Sequence, residues 1–260
     1  MALRDHFHAP LSIRRHWHSF HNAWATAIAI DLNTHLPEGY FAEPNVQFGI
    51  EIDPSTGSGH RVATLQEPPD LLSNGSSNGN VMAPVLAGSA AGLTPPAPMQ
   101  TLAFQTTSDT VEVMIFSTDG GPTLVGAIEL VSPANKACPE LAEWDRRTHR
   151  ETFVSKCETY LRQGVGLVIV DIVTNRKRNL HNELLARLVG IKSHLSATLY
   201  AVSYRVVERS GQTNLDIWPE SLTLGQPLPP TIPFWLRGGI YLPLALNNTY
   251  ERICRELRIS

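Results

Sequence analysis

Three residues between positions 124 and 160 have the types and spacing for chemistry: Glu129, Lys156 and Tyr160. Glu129 is the one carboxylate in an apolar run, LVGAIELV, that stops at Ser132-Pro133. Alternation puts it on one strand face with Val125, Ala127 and Val131, and puts Leu124, Gly126, Ile128 and Leu130 on the other. A carboxylate among valines is costly to bury unless something pairs with it. The partner can be a lysine, an arginine, a backbone donor or a divalent cation. Lys156 and Tyr160 stand four residues apart in an expected helix, so ammonium and phenol can reach the same place. Such a set suits metal-assisted hydrolysis; it equally suits a structural ion pair between Glu129 and Lys156 that needs no metal.

Further acids could join Glu129. The run GIEID places Glu51 and Asp53 on one face of a short strand, and Glu112 lies where a hairpin could bring it across from Glu129. An acidic run, Glu140, Glu143 and Asp145, follows the Glu129 strand. Five of the ten histidines crowd the N-terminus (His6, His8, His16, His18 and His21) without a metal-ligand spacing, which favours packing and capping roles. Arg176-Lys177-Arg178 forms a basic knot after the next strand. The three cysteines, Cys138, Cys157 and Cys254, are scattered and support neither a disulfide framework nor a zinc site.

The elements that must position these residues follow from periodicity. Trp17, Phe20, Trp24, Ala27, Ile28 and Leu32 recur at helical spacing, so a helix is expected from Trp17 to Leu36, closed by Pro37. Strands are expected at 40–48, 49–53, Val111–Phe116 and Leu124–Val131, the last two joined as a hairpin through Asp119-Gly120-Gly121. Thr148 and Glu151 have the spacing of a capping box, which predicts a helix from His149 to Gln163 ending at Gly164. Its core stripe is Phe153, Cys157 and Leu161, with Lys156, Tyr160 and Gln163 on the adjacent face. The wholly apolar run Val165–Val173 predicts a strand covered on both faces, parallel to the Glu129 strand across the intervening helix. A helix at 182–189, strands at 199–207 and 215–218, a proline-bearing strap at 227–233 and a helix at 249–257 complete the chain.

Between 54 and 107 the chain is rich in Gly, Ser, Asn, Pro and Ala and lacks periodicity, apart from a short strand that could form around 61–65. The expected organisation is therefore an N-terminal helix with the first strands (1–53), a flexible insertion (54–107), a sheet–helix core with the candidate site (108–190), and a β-rich extension on the same domain (191–260). A net charge of −3 argues against a protein that coats DNA by a global basic field, though not against an enzyme with a local basic rim. Neither a signal peptide nor an apolar run of membrane-spanning length stands out, so a cytoplasmic protein is expected.

The order helix, antiparallel strands, acid-bearing strand, helix, buried strand resembles the αβββαβ core of the PD-(D/E)XK, or restriction-endonuclease-like, superfamily. More closely, the chain resembles a bacterial family of unknown function placed near it. The stretches that carry the likeness include RDHF at 4–7, FHNAW at 20–24, AIELVSPANK at 127–136, FVSKC at 153–157, GVGLVIVDIVT at 164–174 and LGQPLPPTIPFWL at 224–236. The fold class implied is α/β, a mixed sheet flanked by helices. The chemistry implied is Mg²⁺-dependent phosphodiester cleavage acting on DNA, with Asp53 and Glu129 as metal ligands. In the usual motif a lysine stands two residues after the glutamate; that position here is Val131. Related families carry the lysine on the following helix with a tyrosine one turn later, which implies Lys156 as the water-positioning group and Tyr160 as its support. Lys136 is the rival lysine, and Asp70 or Glu112 could replace Asp53. A degenerate member would bind nucleic acid or a protein partner without cleavage.

Overall fold

The structure is a computed structural model that describes residues 1–47, 110–136 and 143–259, all within one unit of the chain. Asp53, Asp70, Cys138, Glu140, the GIEID run and the insertion at 54–107 lie outside the described residues.

The elements in order are α1 (Leu11–Arg14), α2 (Trp17–Asn33), β1 (Tyr40–Gln47), β2 (Thr110–Ser117), β3 (Thr123–Leu130), α3 (Glu143–Arg162), β4 (Gly166–Asp171), α4 (Leu180–Val189), β5 (Tyr200–Arg209), β6 (Gln212–Ser221), β7 (Ile232–Trp235), β8 (Tyr241–Leu244) and α5 (Leu246–Glu256). A single 3₁₀ turn, Ala134–Lys136, follows β3. Strands β1 to β6 form one mixed sheet in chain order, and β7 pairs with β8 in a separate ribbon. Every neighbour in the large sheet is antiparallel except β3 and β4, which run parallel across α3. The parallel pair lies at the centre, and β4 is buried along its whole length, as its unbroken apolar run requires.

The helical stripe of α2 is buried through Phe20, Trp24, Ala27, Ile28 and Leu32, and the helix packs against β1, β2 and α5. Asn33 at its C-terminal end fixes the entry to β1, because its side chain bonds both the carbonyl (2.8 Å) and the amide (2.7 Å) of Ala42. Helix α3 begins at Glu143, six residues before the expected start, so Thr148 lies inside the helix and is no N-cap. The spacing Thr-x-x-Glu also occurs within a continuous helix, and nothing between Glu143 and Arg147 breaks one. Its core stripe is as expected: Phe153, Cys157 and Leu161 are buried, while Gln163 is exposed and stands apart from the site.

The proline-bearing segment is an extended strap. Pro227 bridges to Ala2, Leu228 is buried, and Phe234 and Leu236 lie under the sheet. Its close approach depends on two glycines that face each other across the parallel pair, Gly126 and Gly166. A Cβ at Gly166 would stand 1.5 Å from the carbonyl oxygen of Trp235, and one at Gly126 would stand 2.6 Å from the Leu236 side chain. The strap thus covers the face carrying Gly126 and Ile128, while α3 covers the face carrying Ala127 and Glu129.

Candidate functional site

Glu129 sits near the C-terminal end of β3, directly opposite Glu112 of β2 and beside Ile169 of β4. Glu112 in turn faces Asn45 of β1. One row across the sheet therefore reads Asn45, Glu112, Glu129, Ile169, with side chains on the same face. On that face α3 packs over β4 and β5, while Met114 and Phe116 of β2 remain only partly buried. The acids stand at the margin of helix cover.

Lys156 reaches this margin from α3 and touches both acids. Its Nζ lies 3.1 Å from Glu112 Oε2, 3.0 Å from Glu129 Oε2 and 2.8 Å from Glu129 Oε1. The shortest approach is off the hydrogen-bonding angle, so Glu129 Oε1 is a buried oxygen in electrostatic contact but without a hydrogen bond. Tyr160, one turn on, donates its hydroxyl to Glu112 Oε2 at 3.1 Å, and Asn45 Nδ2 donates to Glu112 Oε1 at 2.7 Å. Both carboxylates are almost wholly buried, whereas the Lys156 side chain keeps 24% of its surface in solvent.

Two acids and one lysine leave an uncompensated negative charge if all three ionise. Of the two acids, Glu129 holds a proton the more readily. Burial pushes its carboxyl well above the ordinary carboxylate range, and the charge of Glu112 adds to this against the pull of Lys156. Burial also presses Glu112 upward, but its hydrogen bond with Glu129 and the Lys156 charge bring it below its ordinary value. Burial pulls the Lys156 ammonium down, and the two carboxylates outweigh that and hold it firmly protonated. Burial and the neighbouring acids raise the Tyr160 phenol, which therefore remains a donor. The resulting set is two carboxyl groups, an ammonium and a phenol, carried to one point by two strands and a helix, with the proton favoured on Glu129.

The expected site residues divide as follows. Glu129, Lys156 and Tyr160 come together, and the second acid beside them is Glu112; Asp53 lies outside the described residues. Lys136, the rival lysine, is engaged elsewhere. The 3₁₀ turn folds it inward, fully buried, where Nζ lies 2.9 Å from Asp171 Oδ2 and bonds the carbonyls of Val173 (3.4 Å) and Thr198 (3.3 Å). Burial pushes Asp171 up to about 6 against the pull of Lys136. The basic knot is partly engaged, with Arg178 lying 3.6 Å from Glu183. Of the N-terminal histidines, His6 and His21 are packing groups in the core; His6 stacks on Phe20 and shares a 2.9 Å hydrogen bond with Tyr250.

The sequence offered no sign of Asn45 or of the relay behind α4. There His181 shares hydrogen bonds with Tyr204 (2.5 Å) and with the exposed His194 (3.0 Å). Among the described residues no group of three His, Cys, Asp or Glu side chains converges as a metal site, and no helix is long and apolar enough to cross a membrane. Comparison with protein-family models, curated proteins and solved structures gives no match.

Proposed function

We propose that this chain is a divalent-metal-dependent phosphodiesterase on a restriction-endonuclease-like fold, acting on DNA, with Glu112 and Glu129 as the acid pair. The observation that carries this reading is the meeting of two strand carboxylates with a helix-borne Lys156 and Tyr160 at the margin of the helix cover. The donor set fits Mg²⁺, which takes oxygen ligands, is commonly held by one or two carboxylates and keeps several waters. Glu129 Oε1, buried and without a hydrogen bond, is the oxygen left over for such a bond. When bound, the ion would polarise a phosphate and lower the pKa of a coordinated water.

The chain's own residues do the rest. Asn45 and Tyr160 fix both oxygens of Glu112, so this carboxylate is set in orientation before any ligand arrives. Lys156, with 24% of its side chain in solvent, carries positive charge to the mouth of the site, where it would hold a phosphate oxygen or an attacking water. Glu129 has to give up its proton to become a ligand, so cation binding should strengthen as pH rises.

A second reading is supported by one observation: the ammonium of Lys156 already bridges both acids. In that reading the cluster is structural, and the chain binds nucleic acid or a partner without cleavage. Calorimetric titration with Mg²⁺ separates the two. The enzyme reading expects heat for the wild type, loss of that heat in Glu129→Gln, and metal binding without DNA cleavage in Lys156→Met. A wild type that gives no heat and leaves DNA uncut in Mg²⁺ rules the enzyme reading out.

A further inference from the structure

On the face of the sheet opposite the acid pair, the strap, the start of β4 and β5 line an open cavity of about 260 Å³. Arg205 of β5, Trp235 of β7 and Arg237 border it, together with the paired glycines 238 and 239 and one carboxylate, Glu208. The guanidinium carbon of Arg205 lies over the Trp235 ring, 3.9 Å from its centroid. A cation–π contact of this kind restrains the guanidinium without using up its N–H donors. Among the described residues neither Arg205 nor Arg237 forms an ion pair. Asp216, the carboxylate across the strand pair from Arg205, forms two 2.6 Å hydrogen bonds with Arg209 and also feels the charge of Arg205. Residues 238 and 239 turn with φ of +90° and +88°, a conformation that favours glycine and leaves this wall of the cavity without side chains.

Aromatic surface continues from Trp235, which lines the cavity, to Tyr241. Tyr241 is 50% exposed, and its ring centroid lies 5.0 Å from that of Trp235, which is itself stacked near Trp218 at 6.3 Å. Two guanidinium groups border the cavity against one carboxylate, with Asp216 bonded to Arg209, so the cavity favours an anion, and planar forks suit phosphate oxygens. An open aromatic face beside a phosphate site suits a base, since every base offers a π-face to stack.

We propose that this cavity is a nucleotide-binding pocket, in which Arg205 and Arg237 take the phosphate and the exposed face of Tyr241 takes the base. The occupant is either a free nucleotide or the phosphorylated end of a single strand. The pocket is independent of the acid pair, because Gly126 and Glu129 point to opposite faces of β3.

The test is a titration of the full chain in EDTA, followed by calorimetry and tryptophan fluorescence, so that metal at Glu112 and Glu129 plays no part. The probes are deoxyadenosine 5′-monophosphate, deoxyadenosine, inorganic phosphate and a 5′-phosphorylated ten-residue oligothymidylate. The monophosphate should bind at least ten-fold tighter than either deoxyadenosine or phosphate alone. Arg237→Ala, an exposed position, should weaken it roughly ten-fold with an unchanged circular dichroism spectrum, as a lost charge-assisted hydrogen bond would. Arg205→Ala combined with Arg237→Ala should abolish binding. Tighter binding of the phosphorylated oligonucleotide than of the monophosphate identifies a strand end as the occupant, and the reverse order identifies a free nucleotide. Absence of binding by every probe overturns the proposal. So does equal affinity for deoxyadenosine and its monophosphate, for phosphate alone and the monophosphate, or for wild type and double variant.

Discussion

Lys156→Met takes away the one cation that the described residues place beside two buried carboxylates, while keeping most of the side chain's length. Glu112 and Glu129 are 3% and 1% exposed, so neither can turn to water for compensation. Removing one partner of a buried ion pair costs about 3–5 kcal/mol. Because the Lys156 side chain is 24% exposed, the lower part of that range is expected. For a chain of this size about 3 kcal/mol corresponds to a fall in melting temperature of roughly 6–12 °C. The cost depends on pH, with a sign set by the acids. Glu129 has its folded pKa raised above the ordinary 4.5, so the native state holds a proton that the unfolded chain gives up. Its contribution is complete below 4.5 and is lost as pH rises through the raised value. Without Lys156 the carboxyls should rise further, so the variant's deficit should shrink toward acid pH and widen toward pH 8. Glu129→Gln, whose amide imitates the protonated acid, should cost less than about 1 kcal/mol at pH 7. Added Mg²⁺ should restore stability to Lys156→Met by replacing the missing charge, if the acid pair is a metal site. Urea unfolding of the three proteins at pH 5, 7 and 8.5, with EDTA and then with Mg²⁺, measures each quantity. A Lys156→Met protein within 1 kcal/mol of wild type at pH 7 would refute the electrostatic account. A Glu129→Gln protein as damaged as Lys156→Met would refute the placement of the proton.

Gly166→Ala should release the strap, since its Cβ would stand 1.5 Å from a backbone carbonyl that no side-chain rotation can clear; loss of Trp235 protection from fluorescence quenchers reports it. Lys136→Met should cost about 3–5 kcal/mol in chemical unfolding by leaving Asp171 unpaired in the core, with the deficit easing as pH falls and that carboxyl protonates. His6, His21 and His181 are depressed to about 4, about 3 and about 4, chiefly by burial. Their stability contribution is therefore present above pH 6.5 and lost as pH falls toward 4, and His181→Gln should flatten that part of a stability–pH curve.

Local pattern determined much of this fold. The period of 3.6 in α2, the alternation in β2 and β3, and the unbroken apolar run of β4 each follow from neighbours a few residues apart, so the sequence predicted them. The parallel placement of β3 and β4 was equally legible, because a strand, a helix and a strand leave few ways to pack. Glu129, Lys156 and Tyr160 were readable as a set because a strand face and an i, i+4 pair aim them. Tertiary structure decided the rest. That Glu112 faces Glu129 is a matter of register across a hairpin whose ladder shifts between Ile115 and Phe116, and a shift of one residue would have turned Glu112 to the other face. Lys136 reads in sequence as a loop lysine; only the 3₁₀ turn and the distant carbonyl of Thr198 make it a core residue. Gly126 and Gly166 look like ordinary small residues until the strap, some seventy to a hundred residues later in the chain, lies across them. Periodicity records energies that act along the chain, whereas register and close approach depend on contacts between segments the sequence holds far apart.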